Sequence, residues 1–594
     1  MADAVFDDDA WWAAQTTTEG PHAGKCWWGW GLVSELRAEV KTRRGDHGAE
    51  LGWNLLRPPT VAEAAARLPK PRVAIESLPA ELQGFCTATP FERLLHARGR
   101  DMVDVIRNVR GDVGIAHDFV AYPETEAQVV ALLTECTRRR IAVVPFGGGS
   151  SVVGGVEPPL SCENYAGCVA VDLAKMDKIL EVDKASQCAR VQAGLYGPAL
   201  EAALRDTGLT LRHFPQSFEY STVGGWLATR GGGHYATGLT HVDEMVQSLR
   251  MVCPAGVTET RQLPASGAGP AEHRLYIGSE GSLGIITEAW LRLRPKPAVR
   301  AAATVVFPGI DADNAFERGA QALRELAQAG LQPANLRLVY GSEVVRTGGK
   351  ALEAQRAALA ASSVLLIGFE AHVGGPGVVA AVDAQMAMLL SIAESPAHSG
   401  VVANKRPASE AAGAGGERDG IAGSWGKGFM RAAYTSSASC LLPSVLVNTI
   451  ETACTWANFP ALHTAVLRTA RAATLRECGT EGEVTCRITH VYPDGPAPYY
   501  TIVVRGVPEK DVPDGSEDPR ITMWLAVKRD VMNEIIKHGG TSTHHHAVGR
   551  LHQEHYEAER GALFGASLAA SKAAHDPAGI MSPGMLVGAI AAKL

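Results

Sequence analysis

The stretch PFGGGSSVVGG, residues 145–155, decides how this chain folds. It continues a short apolar run, IAVVP at 141–145, that reads as a strand. Before it, in TEAQVVALLTECTRRR (125–140), Val129, Leu132, Leu133 and Cys136 recur at helical period, and Thr125 and Gln128 stand at capping-box spacing. A glycine-rich loop after a strand invites a Rossmann reading, but that fold begins a helix at the loop so that its N-terminus meets a pyrophosphate. Here VEPPL follows, with Pro158 and Pro159, and the next periodic segment is another strand, CVAVDL at 168–173. Successive glycine amides form an anion-binding nest without a helix, and Ser150 and Ser151 add donors. A pyrophosphate cradle of non-Rossmann type is the expectation, with an ordinary tight turn as the plainer alternative.

Working outward, ILEVD and ARVQAGL read as strands, and GPALEAALRDTG as a helix with Pro198 near its first position and Gly208 ending it. Two further small-residue stretches, STVGGWLATRGGG (221–233) and GSEGSLGIITE (278–288), let backbone approach a flat ligand. From about residue 300 the order is strand, helix, strand, strand, helix, strand, which predicts a second domain with an antiparallel sheet covered by helices. Residues 404–423 are poor in bulky apolar side chains and are expected to form a mobile loop. WWGWG at 27–31 is too aromatic for a solvated linker and is expected to pack on the body.

The chain of 594 residues is 46% hydrophobic and 20% charged, an ordinary globular composition. Its net charge of −7 gives no reason to expect nucleic acid. No uninterrupted apolar run approaches the roughly 18 residues of a membrane span. The 11 cysteines include no C-x-x-C pair, which suits free thiols. The acidic start, MADAVFDDDAWW, lacks the pattern of a secretory signal, and the final Ala592, Lys593 and Leu594 resemble a peroxisomal address.

Residues 542–549 read STHHHAVG. Three successive histidines suit a metal, a buried structural cluster, or proton and anion chemistry. In an extended chain His544 and His546 would face one way and His545 the other. His552 and His555 would be the further candidates for a zinc site, but no acidic residue or cysteine stands at typical motif spacing, and no metal is expected.

The ordered set PFGGGSSVVGG, HFPQSFEYSTVGGW, GSEGSLGIITE and THHHAVGRLHQEH resembles the alkyldihydroxyacetonephosphate synthase family, peroxisomal flavoenzymes with the vanillyl-alcohol-oxidase type of FAD fold. The resemblance implies an α+β chain: a helical N-terminal region (1–118), a two-part FAD-binding domain (119–297), a cap domain (298–540) and a C-terminal segment (541–594) carrying the histidines. It implies exchange of the acyl chain of acyl-dihydroxyacetone phosphate for a long-chain fatty alcohol, with dissociable FAD and no net redox change. Homodimerisation, peripheral attachment inside a peroxisome or glycosome, and capture by the import receptor through Ala-Lys-Leu are implied too.

In the matching motifs the acid/base tyrosine falls on Tyr499 in DGPAPYYTIVV, the active-site histidines on His544, His545 and His546, a further histidine on His213, and a flavin-proximal arginine on Arg431. Arg337 matches another family arginine, and Ala497 replaces a family cysteine. A tyrosine with a pKa near 10 needs cationic neighbours to act as a base, and the histidine run is the expected source. Tyr500 competes for the role but would face the other side of a strand. Expected FAD contacts are Pro145, Phe146, Gly147, Gly148, Gly149, Ser150, Ser151, Ser217, Thr222, Gly224, Gly225, Glu280, Gly281, Ser282, Gly284 and Ile286, with His213 to Ser217 as the weaker segment. Competing readings are an FAD-dependent 2-hydroxyacid dehydrogenase of the same fold and a non-catalytic flavin-binding scaffold.

Overall fold

The structure, a computed structural model, describes residues 2–47, 55–160, 162–238, 241–410, 420–508, 512 and 516–587. The strand before the glycine loop, Ile141–Phe146, is the last of a four-stranded sheet ordered Cys86–Thr87, Phe119–Ala121, Gly167–Asp172, Ile141–Phe146. Its last three strands run parallel. Parallel strands are covered on both faces, which is why this one reads as a continuous apolar run. Its outer edge is closed by the far end of the chain: Val143 N donates to Ile580 O and Ser582 N to Val143 O, both at 2.8 Å. Helix Glu126–Arg139 is capped by the Thr125 side chain, which accepts from Gln128 N. The reciprocal bond goes one residue earlier than expected, from Glu124 N to Gln128 Oε1.

After the glycine loop the described residues form only a short 3-10 turn, Cys162–Asn164, before the next strand, as Pro158 and Pro159 required. An antiparallel five-stranded sheet follows, ordered Ile179–Asp183, Cys188–Gln192, Ile285–Arg292, Val246–Cys253, Gly256–Glu259. Both sheets share one apolar core.

The second domain is a wide antiparallel sheet of seven strands: Val401–Glu410, Val299–Pro308, Ser362–Ala371, Asn335–Tyr340, Glu483–Val491, Pro496–Arg505, Val445–Glu451. Helices Ala312–Gln328, Pro376–Ala393, Phe459–Cys478 and Pro519–Lys537 pack into the core on one face. Pro376–Ala393 is long and apolar enough to cross a membrane, yet Val382, Met386, Leu389 and Leu390 are buried against the protein. The opposite face is partly covered by helices Gly341–Gly348 and Gly420–Met430. The loop expected at 404–423 is corrected at both ends. Residues 404–410 finish an edge strand and 420–423 begin a helix, so only the part outside the described residues keeps the earlier expectation.

The N-terminal tryptophans pack as expected. Trp11, Trp12, Trp27, Trp28 and Trp30 are buried in the same core as the wide sheet. Cys86–Thr87, however, joins the first sheet, so a division at residue 118 separates one edge strand from its partners. Trp27 is fully buried, and its Nε1 donates to Gln15 Oε1 at 3.1 Å and Pro59 O at 3.2 Å. Trp27→Ala leaves a cavity and two orphaned acceptors, and should lower stability by about 3–5 kcal/mol, read as a fall in the urea midpoint of unfolding.

Candidate active site

The first unit and the wide sheet meet over a cavity of about 1710 Å³. One wall is the glycine loop, Pro145 through Ser151, together with Ser217, Thr222, Gly224, Gly225, Glu280, Gly281, Gly284 and Ile286. Of the expected FAD contacts Ser282 lies outside this wall, as do His213 and Phe214 of the weaker segment: Ser282 is buried, and its Oγ donates to Ser279 O at 2.6 Å. Ser221, Ala228 and Gly231 extend the wall beyond the sequence expectation. The loop lies so close to its neighbours that a Cβ on Gly148 would fall 1.6 Å from the Tyr220 carbonyl oxygen. Bare backbone is what a pyrophosphate nest presents, so this wall fits the cofactor that its motif implies.

The facing wall is the wide sheet, and strand register assembles its chemistry. Tyr499 stands directly opposite Glu451 on one neighbouring strand and Arg487 on the other. Directly opposed residues share a face, so these three side chains point to one side, followed along the strands by Thr449, Thr501 and Thr485. Tyr500 points away, fully buried, with its hydroxyl 3.1 Å from His463 Nδ1. A bulge between Ile488 and His490 breaks the alternation, and both Thr489 and His490 line the cavity.

The histidine run is bent, which corrects the alternating arrangement expected of an extended chain. The Glu451 carboxylate accepts the Thr543 hydroxyl at 2.5 Å and the backbone N–H groups of His544, His545 and His546 at 2.7, 3.3 and 3.1 Å. Three successive amides turned onto one carboxylate leave no extended geometry between them. Glu280 holds the far end, accepting from Val548 N and Gly549 N at 2.8 Å each. His545 and His546 line the cavity beside Tyr499, with ring centroids 5.9 and 5.4 Å from it. His544 sits behind them, its Nε2 2.9 Å from Tyr492 Oη. His552 and His555 turn elsewhere, to Ala547 O and Asn533 Oδ1.

The electrostatics also differ from expectation. Burial holds all three imidazoles below their ordinary pKa, His544 at about 4, so they stand neutral and do not supply the expected positive charge. Arg487 supplies it instead. Its guanidinium carbon lies 3.9 Å from the Tyr499 ring centroid, and its Nη1 donates to the buried Glu343 at 2.9 Å. Burial raises the Tyr499 phenol, while Arg487 and the 3.0 Å hydrogen bond to Thr449 act in the opposite direction. Burial also opposes charge on Glu451, but His546 and His544, in the acid range where they are charged, and the donors around it prevail and hold the carboxyl at about 2. For Glu280 burial wins over the two amides, and the group is pushed up to about 7.

A family profile described as an FAD binding domain matches residues 117–261, and one described as the C-terminal domain of FAD linked oxidases matches 296–586. An alkyldihydroxyacetonephosphate synthase of Caenorhabditis elegans is 30% identical over 519 residues, covering 84% of this chain and 80% of that protein. The chain belongs to the alkyldihydroxyacetonephosphate synthase family. The Dictyostelium discoideum synthase is 28% identical, covering 77% of this chain and 71% of its own length. A solved alkyldihydroxyacetonephosphate synthase superposes with a TM-score of 0.72 at 23% identity, covering 94% of this chain and 99% of that one. The fold extends to p-cresol methylhydroxylase, with a TM-score of 0.61 at 15% identity and coverage of 89% and 97%.

Of the remaining family-derived positions, Arg431 lies in the cavity wall and His213 does not. Arg431 is held by the N-terminal helix, Nη1 to Glu35 at 3.0 Å and Nε to Glu39 at 3.2 Å, while the arginine beside Tyr499 is Arg487. His213 is not in the cavity wall: it is buried against Trp226 at 5.0 Å, and burial holds it at about 3. Arg337, likewise outside the wall, donates to His234 O at 3.3 Å. Gly148→Ala should yield protein without bound flavin, seen as loss of the visible absorption after gel filtration. In Glu451→Gln the contribution of the depressed carboxyl disappears. That contribution is present above the unfolded pKa of about 4.3 and is lost as pH falls through about 2, so the variant should be less stable at pH 7. Denaturant midpoints measured from pH 7 to pH 2 should therefore converge on the acid side.

Proposed function

We propose that this chain exchanges the acyl chain of acyl-dihydroxyacetone phosphate for a long-chain fatty alcohol, forming the ether bond of ether lipids. The observation that carries this reading is one cavity walled by the FAD loop and by Tyr499 with Arg487, His545 and His546. FAD supplies, when bound, an electron-accepting ring that takes part without net redox change. The carbon that exchanges its substituent is alpha to a ketone, so a proton there can leave if a base is positioned and the resulting charge is stabilised. Tyr499 is the acid/base group. Arg487 opposes the burial that raises its phenol, and the neutral imidazoles of His545 and His546 beside it are the proton acceptors. The histidine run also offers the substrate phosphate a place to bind, since an anion there would raise the imidazole pKa values.

For the hydrocarbon chain the cavity offers apolar side chains that include Trp30, Val40, Leu55, Met102, Leu441 and Val445. Peripheral contact with a bilayer is supported by the outward side chains of helix Pro376–Ala393, where exposed Ala380, Ala384, Ala387 and Met388 carry no charge. A peroxisome-type location through Ala592, Lys593 and Leu594, which lie outside the described residues, and a homodimer complete the reading. So do the four regions 1–118, 119–297, 298–540 and 541–594.

Anaerobic incubation of FAD-loaded protein with a labelled long-chain alcohol and acyl-dihydroxyacetone phosphate should give labelled ether, free fatty acid and finally oxidised flavin. Tyr499→Phe should lose about 10²–10⁴-fold in rate while keeping flavin. Bleaching of the flavin by 2-hydroxyacids with no ether product would instead establish the dehydrogenase, and normal flavin content without turnover on either substrate would point to a scaffold.

A further inference from the structure

Beside Tyr499 lies a group of rings that the proposed reaction does not fully use. His490, His544 and His545 each offer one nitrogen, and the three nitrogens lie within 4.8 Å of one another. Their ring centroids form a nearly regular triangle, 5.0, 4.9 and 5.3 Å on a side. Imidazoles bound to one tetrahedral zinc at roughly 2.0–2.1 Å would adopt about this separation. We propose that His490, His544 and His545 form a binding site for a divalent ion of the zinc class.

Hydrogen bonding distinguishes this from a plain histidine cluster. The Nδ1 atoms of His544 and His545 face each other at 3.1 Å. Their far side is prepared in the way metal-bound imidazoles usually are, with an acceptor for the second N–H: His544 Nε2 meets Tyr492 Oη at 2.9 Å, and His490 Nδ1 meets Thr489 Oγ1 at 3.4 Å. A proton relay through Tyr492, His544 and His545 would explain two of the rings but not the third. His490 is 4% exposed, and its Nε2 has no hydrogen-bond partner. An ion accounts for that orphaned lone pair.

The surroundings favour a borderline ion with strong nitrogen bonds over a hard one. Glu451 contributes negative charge, its Oε2 3.6 Å from His545 Nδ1. Arg230 near His544 and Arg487 near His545 add positive charge. His490 and His545 both line the cavity, which leaves a coordination position toward it. Gly232 keeps the approach to His490 open, because a Cβ there would lie 2.9 Å from Nε2. The bulge at Thr489 is what turns His490 into this group, so the set has no spacing signature in the sequence.

The test uses flavin-loaded, full-length protein stripped with a chelator and titrated with Co²⁺, read at wavelengths beyond the flavin bands, then back-titrated with Zn²⁺. The expected result is one Co²⁺ per chain with the strong visible bands of four-coordinate cobalt, displaced by one Zn²⁺. His490→Gln should abolish the bands. Gly232→Ala, which changes no ligand, should abolish them too, and Tyr492→Phe should weaken binding about 10–100-fold. Flavin content reports folding in each variant. No saturable binding, weak six-coordinate spectra, or bands that persist in folded His490→Gln would overturn the proposal. The ion binding does not depend on the synthase reading: Zn²⁺ that binds without slowing ether formation would support the site and count against His545 as a proton acceptor.

Discussion

A buried carboxylate cannot stay ionised without donors, and Glu451 takes one hydroxyl and three backbone amides from the histidine segment. This constraint shapes the rest of the site. Because three consecutive N–H groups must converge on two oxygens, the chain bends at 544–546, and the side chains leave the bend in directions that a strand would not allow. Two rings reach the cavity and one is turned back to Tyr492. Glu451 sits on the strand beside Tyr499, so the carboxylate that bends the histidines also fixes their height along the tyrosine strand.

The other end of the segment is fixed from the first domain. Glu280 lies in the GSEGSLG stretch and accepts the amides of Val548 and Gly549. Its backbone stands at a φ of 49°, a region that a side-chain-bearing residue enters only when its surroundings hold it there. The segment is thus tied at one end to the wide sheet and at the other to the wall that includes the glycine loop. Neither domain contains the site alone. A shift between them would be felt first as strain in residues 543–549.

The glycine loop was legible because its physics is local: two prolines exclude a helix, and dense glycines permit a close backbone. The strand and helix order of the second domain was legible for the same reason, being written in apolar periodicity. Arg487 and Glu451 were not, because each acquires its meaning from a neighbour far along the chain. A signal did exist. Glu483, Thr485 and Arg487 alternate with Val484, Cys486 and Ile488, and Thr449 and Glu451 flank the apolar Ile450. Polar residues at every second position of otherwise apolar strands mark a face turned to a polar cavity, but register alone shows which of them meet. Arg431 and His213 fared differently: the first lines the cavity and the second lies outside its wall. Motif position carried them over from relatives, while Glu35 and Glu39 hold the first and the packing of Trp226 the second.

Charge balance explains why the arginine, and not the histidines, stands beside the tyrosine. Burial taxes any isolated cation, and an imidazole escapes by giving up its proton. A guanidinium cannot do so at accessible pH, so it must be paired, and Glu343 pairs it from helix Gly341–Gly348, which covers that sheet face. Arg487 is therefore a permanent charge whose carboxylate partner leaves its flat face free to lie over Tyr499. The histidines are the adjustable part: neutral while the cavity holds no anion, and able to take up protons when one arrives beside them. A site with one fixed cation and several neutral bases can receive a phosphate-bearing substrate, move a proton within it, and return to its resting charge when the product leaves.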